Sequence, residues 1–215
     1  MTRPLQPERR RWLQLALAGA TGLLLPRDGV GKTPLRDYPF ALGVASGSPQ
    51  VDSVVLWTRL LQGRTFALAP GAGPLTVSWE VADDEGFRSI VYRGQVQALP
   101  ELAHSVHAEV NGLRADRWYF YRFMVADAVS PVGRTRTLPL PQAPVGRLRI
   151  AYASCQKWED GYFSAWRHMR DERLDAVLFL GDYIYEYPGN RGGLRSPGGG
   201  WVLDLDGYRR RYAVY

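Results

Sequence analysis

The stretch 175-DAVLFLGDYIYEY-187 opens on an apolar run that does not alternate and closes on an acid and three tyrosines behind a glycine. A short continuous apolar run between turn residues is the pattern of a parallel strand covered on both faces. Upstream, RLRIAYASC (residues 147–155) predicts a second strand that ends at Cys155. Between the two, DGYFSAWRHMRDER (residues 160–173) predicts a helix, with Phe163, Trp166 and Met169 or Arg170 at helical spacing and Asp160 as its N-cap. A strand, helix, strand unit crosses over right-handedly, so its strands lie parallel and Cys155 and Asp182 emerge at the same edge of the sheet. Open α/β sheets bind their ligands at that edge.

Working outward, PLPQAPVG (residues 139–146) sustains neither a helix nor a central strand and marks a domain boundary. Before it, residues 38–138 hold short β-rich runs: SVVLWTRL, LTVSWEVAD, SIVYRGQVQAL, VHAEV and WYFYRFMVAD. Turn-rich segments separate them, which predicts a small β-sandwich over residues 37–140. In the first run Val54, Leu56 and Thr58 alternate with Val55, Trp57 and Arg59, giving one core face and one partly wet face. NGLRADRWYFY places Leu113 six residues before Tyr119, the spelling of a fibronectin-type corner. The expected fold is therefore mixed: a fibronectin-III-like β-sandwich followed by the start of an α/β domain over residues 147–215.

Residues 1–36 predict an export signal and linker. Arginines are followed by an apolar stretch, residues 13–25, too short to span a bilayer, and then by Pro26. Arg9-Arg10-Arg11-Trp12-Leu13 resembles a twin-arginine signal, which implies the twin-arginine export machinery as a partner and a periplasmic or extracellular location. Arg3, Arg9, Arg10 and Arg11 against Glu8 supply a net three of the formal charge of +6. The remaining basicity is compatible with an anionic substrate and too weak to argue for nucleic acid, so no nucleic-acid partner is expected. One cysteine, Cys155, forbids an internal disulfide.

Tyr185, three residues past Asp182, turns back to the strand edge if the segment coils there. A thiolate, a carboxylate and a phenolate converging on one point repel one another unless a cation lies between them. A hard trivalent iron suits carboxylate and phenolate and keeps the thiol deprotonated. Gly181-Asp182-Tyr183-Ile184-Tyr185 fits the GDxxY element of the purple acid phosphatase group, within the calcineurin-like metallophosphoesterases. ASCQ (residues 153–156), FALGVASGSPQVDSVVLWTRL (residues 40–60) and LDLDGYRRRYAVY (residues 203–215) extend the resemblance to the alkaline phosphatase D family along nearly all of the chain. That resemblance implies an alkaline phosphatase or phosphodiesterase with a two-metal centre. Cys155 and Tyr185 would bind Fe3+, Asp182 would bridge it to Ca2+, and a phosphate mono- or diester would be the substrate. Apart from the resemblance, a monomer is the expected state, though no residue fixes it.

Other signals fall short. PGNRGGLRSPGGGW (residues 188–201) is glycine-rich but lacks the lysine and hydroxyl residue of a phosphate-cradling loop. It reads as a loop at the site edge whose Arg191 and Arg195 are weak candidates for contacting an anionic substrate. Asp204-Leu205-Asp206-Gly207 is not a calcium loop, and Asp204 or Asp206 reads as a helix cap. Tyr183 and Tyr187 read as packing or wall residues, and Glu186 as either an outer acceptor or part of a solvated face. His168 reads as a surface or packing residue, and none of the three histidines has metal-site spacing. Tyr208, Tyr212 and Tyr215 form an aromatic stripe with no sheet left to bury it. The family's later Asp-His-Glu element is not present, so the sequence reads as the N-terminal part of a longer enzyme. The alternative is a catalytically inactive fragment, or at most a β-sandwich binding module.

Overall fold

Strand β2 (Ser53–Arg59) shows how the first part is built, because its alternation sorts its side chains onto two faces. Val54, Leu56 and Thr58 are buried, whereas Val55 and Trp57 stand half-buried on the other face. The computed structural model describes residues 37–61, 73–189 and 192–215. The predicted export segment, residues 1–36, lies outside the described residues, as does Arg191.

Two antiparallel sheets form around β2. β1 (Val44–Gly47) and β5 (Ser105–Asn111) flank β2 in the first, in the order β1-β2-β5. The second runs β4-β3-β6-β7, from β3 (Leu75–Ala82), β4 (Ile90–Ala98), β6 (Trp118–Val125) and β7 (Ala128–Val129), and β8 (Gly133–Arg136) also pairs with β6. Val54, Leu56, Val106 and Val110 from one sheet and Val77, Val81, Tyr121 and Phe123 from the other share a single core, and Phe40 joins it from the leading turn. Tyr119 is buried, and its Oη accepts the Arg114 backbone N–H at 2.9 Å, while Leu113 is buried beside it. Gly133 permits β8 to cross close over the Tyr121 ring, since a Cβ there would lie 2.2 Å from Tyr121 Cζ.

Past the proline-rich stretch, β9 (Ile150–Ala153) and β10 (Ala176–Phe179) pair in parallel, in register from Ala176 opposite Ile150 to Phe179 opposite Ala153. Helix α1 (Ser164–Asp171) lies between them in sequence and α2 (Leu205–Val214) closes the described chain. Among the described residues no helix is long and apolar enough to cross a membrane.

Three expectations need correction. The predicted helix start at Asp160 is wrong: α1 begins four residues later, behind Phe163 in a left-handed conformation with no side-chain cap. Asp160 pairs with Lys157 at 3.3 Å instead. β10 is parallel as expected but exposed along its whole length, because only β9 pairs with it among the described residues. The aromatic stripe on α2 does find partners: Tyr212 stacks on Tyr183 at 5.2 Å and meets Trp57 edge-on at 6.2 Å, and Tyr215 lies against Trp158 and Phe163.

The described residues belong to one compact unit, Thr33–Tyr215, and named contacts join its two halves. Arg136 of β8 binds both Asp116 and Asp175, and Asp175 in turn accepts the Arg149 N–H at 2.9 Å at the start of β9. That backbone N–H, followed by the Arg136 charge, holds the Asp175 carboxyl below the ordinary carboxylate range despite desolvation. On the opposite flank buried Arg59 donates to the Arg209 carbonyl of α2 at 3.1 Å, and Arg209 reaches back to the Glu101 carbonyl.

Candidate metal centre

The parallel pairing continues past the ends of β9 and β10. Leu180 N–H bonds the Ala153 carbonyl at 2.9 Å and Cys155 N–H bonds the Gly181 carbonyl at 3.3 Å. These bonds place Cys155 beside the Gly181-Asp182 step, as the crossover geometry requires. Cys155 has φ 55° and Asp182 φ 50°, both in the left-handed region, and Gly181 lies at φ 123°. For residues with a Cβ this conformation costs roughly 1–2 kcal/mol each. Both residues stand just past the ends of the paired strands.

They meet. Cys155 Sγ lies 3.6 Å from Asp182 Oδ2, and Tyr185 Oη donates to the same oxygen at 3.3 Å. The tyrosine returns because residues 182–187 coil as the chain leaves the sheet, with Tyr185 ring-to-ring with Tyr187 at 5.4 Å. Burial, then the negative charge of Asp182 and of Cys155, pushes the Tyr185 phenol well above its ordinary range. Cys155 is exposed, so the cluster is open to solvent. Sulfur, carboxylate oxygen and phenol oxygen thus share one corner. No three His, Cys, Asp or Glu side chains converge among the described residues, and the set depends on its tyrosine.

The surroundings divide into packing and support. Tyr183, the first tyrosine after Asp182, is an aromatic wall between Phe179 and Tyr212, and burial pushes its phenol up to about 12. Glu186 accepts from Tyr208 Oη at 3.1 Å, and Tyr187 leans on Trp201. Arg195 donates to the Trp158 and Gly161 carbonyls, and its guanidinium carbon sits 3.3 Å from the centre of the Trp158 ring, so it pins the glycine-rich loop down. His168 is exposed on α1, and buried His104 contacts the Gly73 carbonyl at 3.2 Å, far in sequence and fold from the cluster. Asp204 caps α2 by accepting the Gly207 N–H at 2.6 Å.

Sequence reasoning missed Arg211. It is 4 % exposed, and Nη1 donates to the Tyr185 carbonyl at 2.6 Å and the Tyr187 carbonyl at 3.0 Å, while Nη2 reaches the Gly198 and Gly200 carbonyls at 3.3 Å. The signal was a charge on the aromatic face of α2, three residues after Tyr208 and four before Tyr215.

Residues 26–139 match the family described as the N-terminal domain of PhoD-like phosphatases, and residues 150–215 match the PhoD-like phosphatase family. The chain is 44 % identical over 221 residues to alkaline phosphatase D of Bacillus subtilis (strain 168), covering 97 % of this chain and 38 % of that protein. A solved structure described as "Structure of PhoD" superposes with a TM-score of 0.80 at 48 % identity, over 84 % of this chain and 35 % of that one.

Proposed function

The chain belongs to the PhoD-like phosphatase family, and from that premise we propose that it carries the iron-binding part of a phosphoric ester hydrolase with a ferric iron and calcium centre. The observation that carries this is the convergence of Cys155 and Tyr185 on one oxygen of Asp182. The donor set fits the group: carboxylate and phenolate suit a hard trivalent ion, and acidic groups this close either keep their protons or give them up to a cation placed between them. Cys155, Asp182 and Tyr185 would hold iron, with Asp182 shared with calcium. When bound, the two cations supply positive charge that polarises the phosphoryl oxygens of a phosphate mono- or diester.

The chain's own residues do the rest. The left-handed turns at Cys155 and Asp182 carry their donors at the corner, and the exposed thiol leaves an approach from solvent. The two antiparallel sheets and the Tyr119 corner support a fibronectin-III-like sandwich, and the parallel pair with α1 supports the beginning of an α/β metallophosphoesterase domain. Export through the twin-arginine route and a monomeric state belong to the same proposal.

The test is hydrolysis of a chromogenic phosphate diester and monoester by the purified protein supplied with ferric iron and calcium. Turnover that needs both metals and is abolished in Asp182→Asn supports the reading. Turnover indifferent to iron removal or to Asp182→Asn overturns it, and iron uptake without turnover assigns the 215-residue chain to the inactive alternative.

A further inference from the structure

We propose that Arg211 is a positioning residue that ties the turn carrying Tyr185 to the glycine-rich segment and, through α2, to the sandwich. The proposal rests on Cys155, Asp182 and Tyr185 forming the iron corner. The guanidinium is almost fully buried, yet among the described residues no carboxylate forms an ion pair with it. Burying a charge without a counterion is costly. What offsets it here is four backbone carbonyls arranged around one fork: those of Tyr185 and Tyr187 on Nη1, and those of Gly198 and Gly200 on Nη2. Four carbonyls on two separate nitrogens exceed the three donors of a lysine ammonium, so the site favours arginine over lysine.

The consequence for Tyr185 follows from where the bonds fall. Residues 182–187 form no regular secondary structure, and the bonds from Arg211 hold the carbonyls on either side of Glu186. Fixing them sets the backbone direction from which the Tyr185 ring returns to Asp182. The anchor is itself held at three points. Asp204 caps α2, Arg59 of the sandwich donates to the Arg209 carbonyl two residues before Arg211, and Trp57 packs on Tyr212 one residue after it. Sandwich, helix, guanidinium and phenol therefore form one mechanical series, and the sandwich becomes part of the metal site's scaffold.

Arg211→Gln and Arg211→Lys in the 215-residue chain test this with two readouts. The first is amide hydrogen exchange of the iron-free protein. Arg211→Gln is expected to exchange at least about tenfold faster at residues 184–187 and 198–201, with protection of β2 and β6 unchanged. The second is titration with ferric citrate, following the tyrosinate-to-iron absorption, where Arg211→Gln is expected to bind about 10–100-fold more weakly and Arg211→Lys to recover part of the loss. If Arg211→Gln unfolds the sandwich, Arg211→Lys carries both measurements. Unchanged exchange, or iron affinity within about twofold of the parent with a normal absorption, overturns the proposal while leaving the iron corner standing. Faster exchange in Arg211→Gln together with no iron uptake by the parent protein supports the positioning role and overturns the iron reading on its own.

Discussion

Asp175→Asn perturbs the joint between the two halves of the chain at one atom. The carboxylate is 17 % exposed and Arg136 is 25 % exposed, which places their pair between an exposed ion pair, worth about 0–1 kcal/mol, and a fully buried one, whose disruption costs about 3–5 kcal/mol. Loss of the charge alone is expected to cost about 1–2 kcal/mol, because asparagine still accepts the Arg149 N–H now held at 2.9 Å. Asp175→Ala removes that acceptor too and is expected to cost about 1 kcal/mol more. The sign with pH follows from the carboxyl's lowered titration. Its stabilisation is complete above the ordinary aspartate value of about 3.9 and is lost as the pH falls through the lower folded value. The parent and Asp175→Asn should therefore differ at pH 7 and converge in acid. The assay is urea unfolding across that range, with amide exchange at Arg149 and β9, and a double-mutant cycle against Arg136→Met. Equal stability of parent and Asp175→Asn at pH 7, or a difference that persists undiminished at pH 2, would show that the Asp175 charge does not hold the joint together.

Gly133→Ala should lower the melting temperature by an amount equivalent to about 1–3 kcal/mol, because its new Cβ meets the buried Tyr121 ring; a neutral effect would mean that the ring yields. Tyr119→Phe keeps the buried ring but removes the acceptor of the Arg114 N–H, and about 0.5–1.5 kcal/mol should be lost in urea unfolding. Leu56→Ala, at a fully buried position in the shared core, should cost about 2–5 kcal/mol and act on both sheets together in amide exchange.

The sandwich was legible because its signals are local. Val54, Leu56 and Thr58 announce a core face by period two, and Leu113 with Tyr119 announces a corner. The convergence of Cys155 with Asp182 was legible from crossover topology alone, since parallel strands joined through a helix must deliver both residues to one edge. The start of α1 was not, because Asp160 has a nearer partner in Lys157 and a left-handed Phe163 restarts the chain. The exposure of β10 was not either, since an apolar run states what a strand would prefer to bury against and not what lies beside it. Arg211 was hidden for a different reason: its partners are carbonyls, which every residue carries and no residue type advertises. The same holds for the placement of α2: Tyr212 finds Tyr183 and Trp57, and Tyr215 at its end finds Trp158, across long sequence separations.

The central claim, that Tyr185 supplies a phenolate to iron at the Cys155 and Asp182 corner, is tested most directly by visible absorption and resonance Raman spectra of the iron-loaded protein. The parent and Tyr183→Phe should both show a tyrosinate-to-iron band, since the Tyr183 ring is spent on stacking with Tyr212. Tyr185→Phe should lose it while the sandwich stays folded. A band that survives in Tyr185→Phe, or that disappears in Tyr183→Phe instead, would contradict the account.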